Sequence, residues 1–277
     1  VLRAGLIQLS VSDDPEANLG VTRALIREAA ADGAKFMLTP ECTNLLSSDR
    51  AHQRAVLRPE AEDITLAALR AEAADLRIWL LIGSLALQGE SPDGRFSNRS
   101  FMIGPDGRIV ARYNKIHMFD VTVSEAESYR ESDGYQPGTR AVLAQTEFAP
   151  VGMTICYDLR FPHLFRALAK AGARILTVPA AFNDTTGAAH WESLLRARAI
   201  ETGCFVLAPA QTGAHAAHQG KPRRTHGHSL AVGPWGEVLA DGGDEPGVIL
   251  VDLDLSAVDK ARARVPSLFH DISFDAP

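Results

Sequence analysis

Two stretches of the chain share one plan. Gly33-Ala-Lys-Phe-Met-Leu-Thr-Pro40 and Gly172-Ala-Arg-Ile-Leu-Thr-Val-Pro179 each read as a buried strand that follows a helix and stops at a proline. A second echo joins Gly104-Pro-Asp-Gly107 to Gly233-Pro-Trp-Gly236, both hairpin turns by composition. Turn chemistry recurs between unrelated hairpins, so the Gly-Ala…Pro pair carries more of the weight.

The elements between these landmarks repeat in order. The first unit has a strand over 2–9 and a helix opened by Asp14-Pro15-Glu16, with Ala17, Val21, Ala24 and Leu25 on its apolar face and Gly33 ending it. A strand to Thr39, a loop over 42–59, a helix over 63–76, a strand over 78–87 and a hairpin over 101–111 follow. The second unit has a strand over 151–155, a helix over 162–173 and the strand ending at Pro179. After it come a helix with Trp191, Leu194, Leu195 and Ala199 on one side, a strand over 204–210, and the second hairpin. Two such units in a single domain, 1–277, predict an α/β fold with sheets face to face and helices outside, a four-layer α-β-β-α sandwich. Residues 114–140 fit neither unit, and a connection that long inside a compact domain is usually functional.

Composition narrows the class. A hydrophobic fraction of 46% is ample for a packed core, and a net charge of −6 offers no footprint for nucleic acid. Cys42, Cys156 and Cys204 are odd in number and far apart, which argues against a disulfide framework and for a reducing compartment. The first residues lack a long enough apolar run for a signal peptide, and no stretch approaches the ~20 apolar residues of a membrane span. The expectation is a cytoplasmic protein without a membrane partner.

Cys156 is the residue on which a chemical reading turns. It ends the apolar run Val151 to Ile155 just before the helix at Pro162, a place where a nucleophile can stand on a rigid edge. A buried small hydrophobe is the ordinary fate of such a cysteine. Glu41 ends a strand of the first unit and Lys115 opens the long connection, so in a face-to-face fold all three can converge. A thiol of pKa ~8.5 needs a base or a nearby cation at neutral pH. Glu41 could take its proton and pass it to a leaving amine, while Lys115 could stabilise an oxyanion. Singly, Glu41 also reads as a surface acid or cap, and Lys115 as a solvated loop charge.

The blocks Leu-Thr-Pro-Glu41, Tyr-Asn-Lys115-Ile-His and Ile-Cys156-Tyr-Asp-Leu-Arg-Phe-Pro, in this order, resemble the nitrilase superfamily of carbon-nitrogen hydrolases along nearly the whole chain. The resemblance implies a Glu41–Lys115–Cys156 triad. It also implies a second glutamate, Glu131 rather than Glu125 or Glu127, that orients Lys115 and helps place water. The Tyr157 N–H is implied to join Lys115 in an oxyanion hole. It implies neither metal nor organic cofactor, and a homodimer or higher homo-oligomer. The tail over 265–277, with Phe269 and Phe274, packs on a second subunit or folds back on its own domain.

Within that superfamily, Pro179-Ala-Ala-Phe-Asn, Gln211-Thr-Gly-Ala-His and Arg196-Ala-Arg-Ala-Ile-Glu-Thr are similar to the branch of amidases acting on deaminated glutathione. Thr186-Gly-Ala-Ala-His-Trp-Glu is shared with the neighbouring ω-amidase branch, which acts on 2-oxoglutaramate. Either small-molecule amide would place a 2-oxoglutaryl group on Cys156 as a thioester. Its carboxylate needs fixed donors, for which Arg160, Phe182, Asn183 and Thr186 are the expected pocket residues. Arg160 could instead pair with Asp158 or a loop carboxylate. Lys221, Arg223 and Arg224 could meet the carboxylate of a leaving cysteinylglycine or be solvated loop charges. His215, His218, His226 and His228 share one span but lack regular ligand spacing, so no metal site is expected. A nitrilase or carbamoylase, a binding protein that kept the fold, and a redox sensor built on Cys156 are the competing classes.

Overall fold

The computed structural model describes residues 1–89, 91–125, 127–217 and 223–275. The first half runs β1 (Leu2–Gln8), α1 (Pro15–Ala31), β2 (Phe36–Leu38), α2 (Arg50–Val56), α3 (Ile64–Leu76), β3 (Trp79–Leu87), β4 (Ser97–Ile103) and β5 (Ile109–Asn114). A small hairpin, β6 (Asp120–Ser124) and β7 (Glu127–Arg130), leads to the second half. That half runs β8 (Val142–Ala144), β9 (Val151–Met153), α4 (Pro162–Lys170), β10 (Ile175–Thr177), α5 (Asp184–Thr202), β11 (Phe205–Ala208) and a second small hairpin, β12 (Thr212–Ala214) and β13 (Arg224–His226). It finishes with β14 (Leu230–Val232) and β15 (Val238–Asp241), and β16 (Gly247–Leu253) and α6 (Ser256–Arg264) follow.

The two six-stranded sheets have matching orders, β16-β1-β2-β3-β4-β5 and β8-β9-β10-β11-β14-β15. In each, three parallel strands are flanked by one antiparallel strand on one side and an antiparallel hairpin on the other. The paired Gly-Ala…Pro segments are equivalent bond for bond. Gly33 N–H donates to Ala30 O and Gly172 N–H to Ala169 O, and both glycines hold positive φ (88° and 107°), which closes the helix without a Cβ penalty. Both hairpin turns likewise close by Gly104 to Arg108 O and Gly233 to Glu237 O.

Side-chain alternation along the strands builds the layers. Leu6, Leu38, Leu81 and Met102 point from the first sheet into a core shared with Val151, Met153 and Val206 of the second. Their neighbours Ile7, Met37, Leu80 and Phe101 face outward and meet Ile26 and Ala29 of α1 and Leu66 and Leu69 of α3. On the far side, Phe165 and Leu168 of α4 and Trp191 and Leu195 of α5 cover the second sheet. The four-layer α-β-β-α sandwich follows from these two faces. No helix among the described residues is long and apolar enough to cross a membrane.

Several local expectations are corrected. Ala17, Val21 and Ala24 are exposed; the buried face of α1 carries Asn18, Thr22, Ile26 and Ala29. Polar residues set that rotation. Asn18 Nδ2 donates to Asn44 O (3.0 Å), and Arg23 and Arg27 reach Glu72 on α3. The stretch 42–59 is not all loop, because Asp49 accepts from the Ala51 and His52 N–H groups and starts α2. The connection 114–140 contains the β6–β7 hairpin. Of the two placements left open for the tail, residues 265–275 take the one on their own chain: Leu268 is buried in the main core, Arg166 Nη2 donates to Leu268 O, and Asp271 pairs with Arg166 and Lys170. Phe269, Ile272 and Phe274 remain exposed.

Candidate active site

The ends of strands from both halves open into one cavity of about 650 Å³. Glu41, Lys115, Glu131 and Cys156 line it together, from four separate parts of the chain. Their convergence has a local cause in each case. Glu41 follows Pro40 at the end of β2, beside Gly83. A Cβ on Gly83 would lie 1.9 Å from Thr39 O and 2.5 Å from Pro179 Cβ, so only glycine lets these turns close together. Lys115 follows β5 directly, and Glu131 follows β7 in a single 3₁₀ turn.

Cys156 itself is not at a plain strand end. β9 stops at Met153, and Cys156 opens a 3₁₀ turn, Cys156–Arg160, with φ at +48°. A non-glycine residue there is strained, by roughly 1–2 kcal/mol. Cys156 N–H donates to Pro179 O (3.0 Å), and Asp158 caps the turn by accepting from Ile155 N–H (2.8 Å).

The polar groups form a closed set. Lys115 Nζ donates to Glu41 Oε1 (2.8 Å) and to both oxygens of Glu131 (3.0 and 2.9 Å). Glu41 also accepts from Asn98 Nδ2 (2.9 Å) and from Ala181 N–H (2.9 Å). Glu131 Oε2 takes the Phe119 N–H at 2.6 Å. Burial pushes the Glu41 carboxyl up, but the Lys115 ammonium and the Ala181 N–H outweigh it and hold its pKa at about 2. Burial would lower Lys115, yet the Glu131 and Glu41 carboxylates raise it well above an ordinary lysine. Burial and the Glu41 charge drive the Cys156 thiol well above its usual value, against the pull of Lys115. The resting set is therefore carboxylate, ammonium and neutral thiol.

The remaining wall residues divide. Phe182, Asn183, Thr186, Arg223, Arg224 and Tyr157 line the cavity. Asn183 caps α5 by accepting from Thr186 N–H (3.0 Å), and its Nδ2 donates to Glu127 (2.6 Å). Arg223 Nη2 donates to Ala181 O (2.7 Å), while its buried Nε has no hydrogen-bond partner among the described residues. Arg224 pairs with Asp184 (3.4 Å) at the exposed side. Arg160 is the exception: it does not line the cavity, and among the described residues it pairs with no carboxylate. Its guanidinium lies over the Phe182 and Tyr157 rings, 5.5 and 5.9 Å from their centroids, and meets His190 Nδ1. Asp158, its expected partner, is saturated by other donors.

Three residues of this region lacked a legible signal. Asn98, in Ser-Asn-Arg-Ser of β4, bridges Glu41 and Glu131. Glu127 lines the cavity and binds Asn183 and Tyr129, whereas the Lys115 ammonium bonds Glu41 and Glu131. Asp158 lies within the cysteine turn itself. Of the histidines, His215 is buried against Val11 O and Thr225, His228 sits between Asp241 and Asp244, and His226 stacks on His228. His218 and Lys221 lie outside the described residues. Among the described residues, no three acidic, histidine or cysteine side chains group as metal ligands.

A buried thiol, an ammonium and two carboxylates meet in one cavity at the junction of the two halves. The chain belongs to the carbon-nitrogen hydrolase family, whose profile matches residues 3–263. It is 39% identical over 268 residues to the "Deaminated glutathione amidase" of Yersinia enterocolitica, covering 96% of this chain and 91% of that one. It is 35% identical to "Omega-amidase NIT2" of Danio rerio, covering 95% and 92%. Among solved structures, the C. elegans NitFhit protein superposes with a TM-score of 0.87 at 34% identity, over 98% of this chain and 65% of that longer one. The protein is a hydrolase of carbon–nitrogen bonds in amides.

Proposed function

We propose that this amidase hydrolyses deaminated glutathione to 2-oxoglutarate and cysteinylglycine through a thioester on Cys156. The observation that carries the reading is the meeting of Glu41, Lys115, Glu131 and Cys156 in one cavity of a chain whose relatives bear that name. The volume, about 650 Å³, suits a substrate with a dipeptide leaving group better than a small primary amide.

In this mechanism the Cys156 sulfur attacks the amide carbon as its proton passes to Glu41. The carbonyl electron pair moves onto oxygen, beside the Lys115 ammonium and the Tyr157 N–H. Such preorganised donors are each worth on the order of 100- to 1000-fold in rate. Collapse breaks the C–N bond, and Glu41 returns the proton to the departing amine of cysteinylglycine. Water then gives a proton to Glu41 and attacks the thioester; the C–S bond breaks and the thiol is restored. Glu131 holds Lys115 in place and helps seat that water. Phe182, Asn183 and Thr186 line the acyl side, and Arg223 and Arg224 offer charge to a carboxylate at the leaving side.

The test is to give the purified protein deaminated glutathione, 2-oxoglutaramate, a simple nitrile and an N-carbamoyl amino acid. Deaminated glutathione should have the highest kcat/KM. A higher value for 2-oxoglutaramate would move the protein to the ω-amidase reading, which the 35% identity to the zebrafish relative favours. No hydrolysis of any amide, or no acyl adduct on Cys156 in quenched turnover, would end the proposal.

A further inference from the structure

The nucleophile's own turn carries a carboxylate that the proposed reaction does not consume. Asp158 is fully buried, and both of its oxygens are occupied. Oδ2 accepts from Ile155 N–H (2.8 Å) and the Tyr113 hydroxyl (2.6 Å); Oδ1 accepts from His117 N–H (3.1 Å) and faces His117 Nδ1 at 2.7 Å. The partners are not scattered. Ile155 immediately precedes Cys156, and Tyr113 and His117 flank Lys115 two residues to either side. One carboxylate therefore grips the backbone of the nucleophile and both flanks of the lysine.

Two other tethers hold the same turn without reaching Lys115. Cys156 N–H bonds Pro179 O, and Arg198 Nε on α5 bonds Leu159 O (2.9 Å). They fix the turn against the second sheet alone, whereas Asp158 fixes it against the end of β5 in the first. The His117 ring is itself held, stacked on Phe161 with centroids 3.6 Å apart and planes 7° apart. The left-handed φ of Cys156 needs such support, because strained backbone persists only where its surroundings over-determine it.

We propose that Asp158 is a positioning residue that sets the Cys156 sulfur against the Lys115 ammonium by tying the cysteine turn to the lysine segment. The inference rests on Cys156 as nucleophile and Lys115 as oxyanion donor. A displacement of about 1 Å between reacting groups costs on the order of 100-fold in rate. Asp158→Asn keeps the shape but turns an acceptor into a donor opposite donors. Tyr113→Phe removes a single hydroxyl and changes no buried carboxylate.

The experiment compares wild type, D158N and Y113F by kcat per titrated Cys156 thiol, KM, melting temperature and the pH profile of Cys156 alkylation by iodoacetamide. Normalised kcat should fall about 100-fold in D158N and about tenfold in Y113F, with KM within about threefold. In Y113F the alkylation midpoint should shift by at least about half a pH unit, since the sulfur moves relative to the charges around it. Normalised kcat within about twofold of wild type in both variants, with only the melting temperature lowered, would leave Asp158 a structural group and overturn the proposal. So would an unmoved alkylation profile in Y113F, whatever kcat does. If D158N does not fold, Y113F decides by itself. A wild type that hydrolyses no amide fails the functional reading, and the alkylation profile still judges the tie.

Discussion

In the proposed mechanism Glu41 is too acidic to keep the Cys156 proton at rest, so thiolate forms only as sulfur commits to a carbonyl carbon. This separates two reactivities of the same sulfur. Glu41→Gln should cut amide hydrolysis by at least about 100-fold, because a positioned proton carrier is lost. Alkylation of Cys156 at pH 7 should rise instead, since the charge that raises the thiol pKa is gone while Lys115 remains. Parallel loss of both activities would show that Glu41 does not govern the thiol in this way. The two arginines can be parted similarly. Arg223 holds Ala181 O, and the Ala181 N–H holds Glu41, so Arg223→Ala should slow 2-oxoglutaramate as well as deaminated glutathione. Arg224 has no such tie, and Arg224→Ala should raise KM about fivefold for deaminated glutathione alone, the worth of an exposed charge pair near 1 kcal/mol. Equal effects of Arg224→Ala on the two substrates would exclude a role at the leaving-group carboxylate. At this scale Glu41, Lys115, Glu131 and Cys156 were legible because each sits in a distinctive local block. Asn98 was not, since an amide in an otherwise ordinary strand becomes informative only once its partners are in view.

The elements near the site approach so closely that one side chain too many must move several of them. Gly83 in β3 faces Thr39 O and Pro179 across the ends of β2 and β10. Gly83→Ala must displace both turns, and with them Glu41 and the Pro179 carbonyl that holds the Cys156 N–H. Overpacking of this kind costs about 1–3 kcal/mol or more, and activity should fall further than stability does. Gly94, in a loop with positive φ and open space around its Cβ position, is the control: Gly94→Ala should cost about 1 kcal/mol and leave kcat unchanged. Chemical denaturation alongside kcat measures both, and an equal loss of activity in the two variants would contradict the packing account. Elements with strong terminal signals were readable from sequence, including the Asp14-Pro15 start of α1 and the Gly33 and Gly172 stops. The rotation of α1 was not, because Asn18 and Thr22 are buried by hydrogen bonds that a count of apolar residues overlooks. The seven-residue pairing of β16 with β1 joins the two ends of the chain, a relation without any local signature.

Across the whole molecule the duplicated halves are stapled by side chains that leave one and end in the other. Gln211 Nε2 donates to Glu41 O (3.0 Å), and its Oε1 accepts from Val11 N–H (3.2 Å). His215 continues the seam, with Nδ1 on Val11 O (2.8 Å) and Nε2 on the Thr225 hydroxyl (2.7 Å). A carbonyl can only accept, so Nδ1 carries a hydrogen, and Nε2 of the neutral ring accepts from the Thr225 hydroxyl. Burial, helped by the Arg223 charge, lowers its pKa to about 4, from the usual 6.5. The unfolded chain then binds more protons than the folded one between those values, so stability rises with pH through that window. It is complete above about pH 6.5, and on the order of 3 kcal/mol of it is lost as pH falls to about 4. The Glu41 contribution has the same direction but lies lower, between about 4.5 and 2, so the two separate on the pH axis. Urea unfolding at pH 7, 6, 5, 4 and 3.5 should therefore show a falling midpoint in wild type and a flatter one in His215→Gln down to about pH 4, with both proteins equally steep below it. A slope unchanged by the substitution would mean that the seam between the halves is not held by a neutral imidazole.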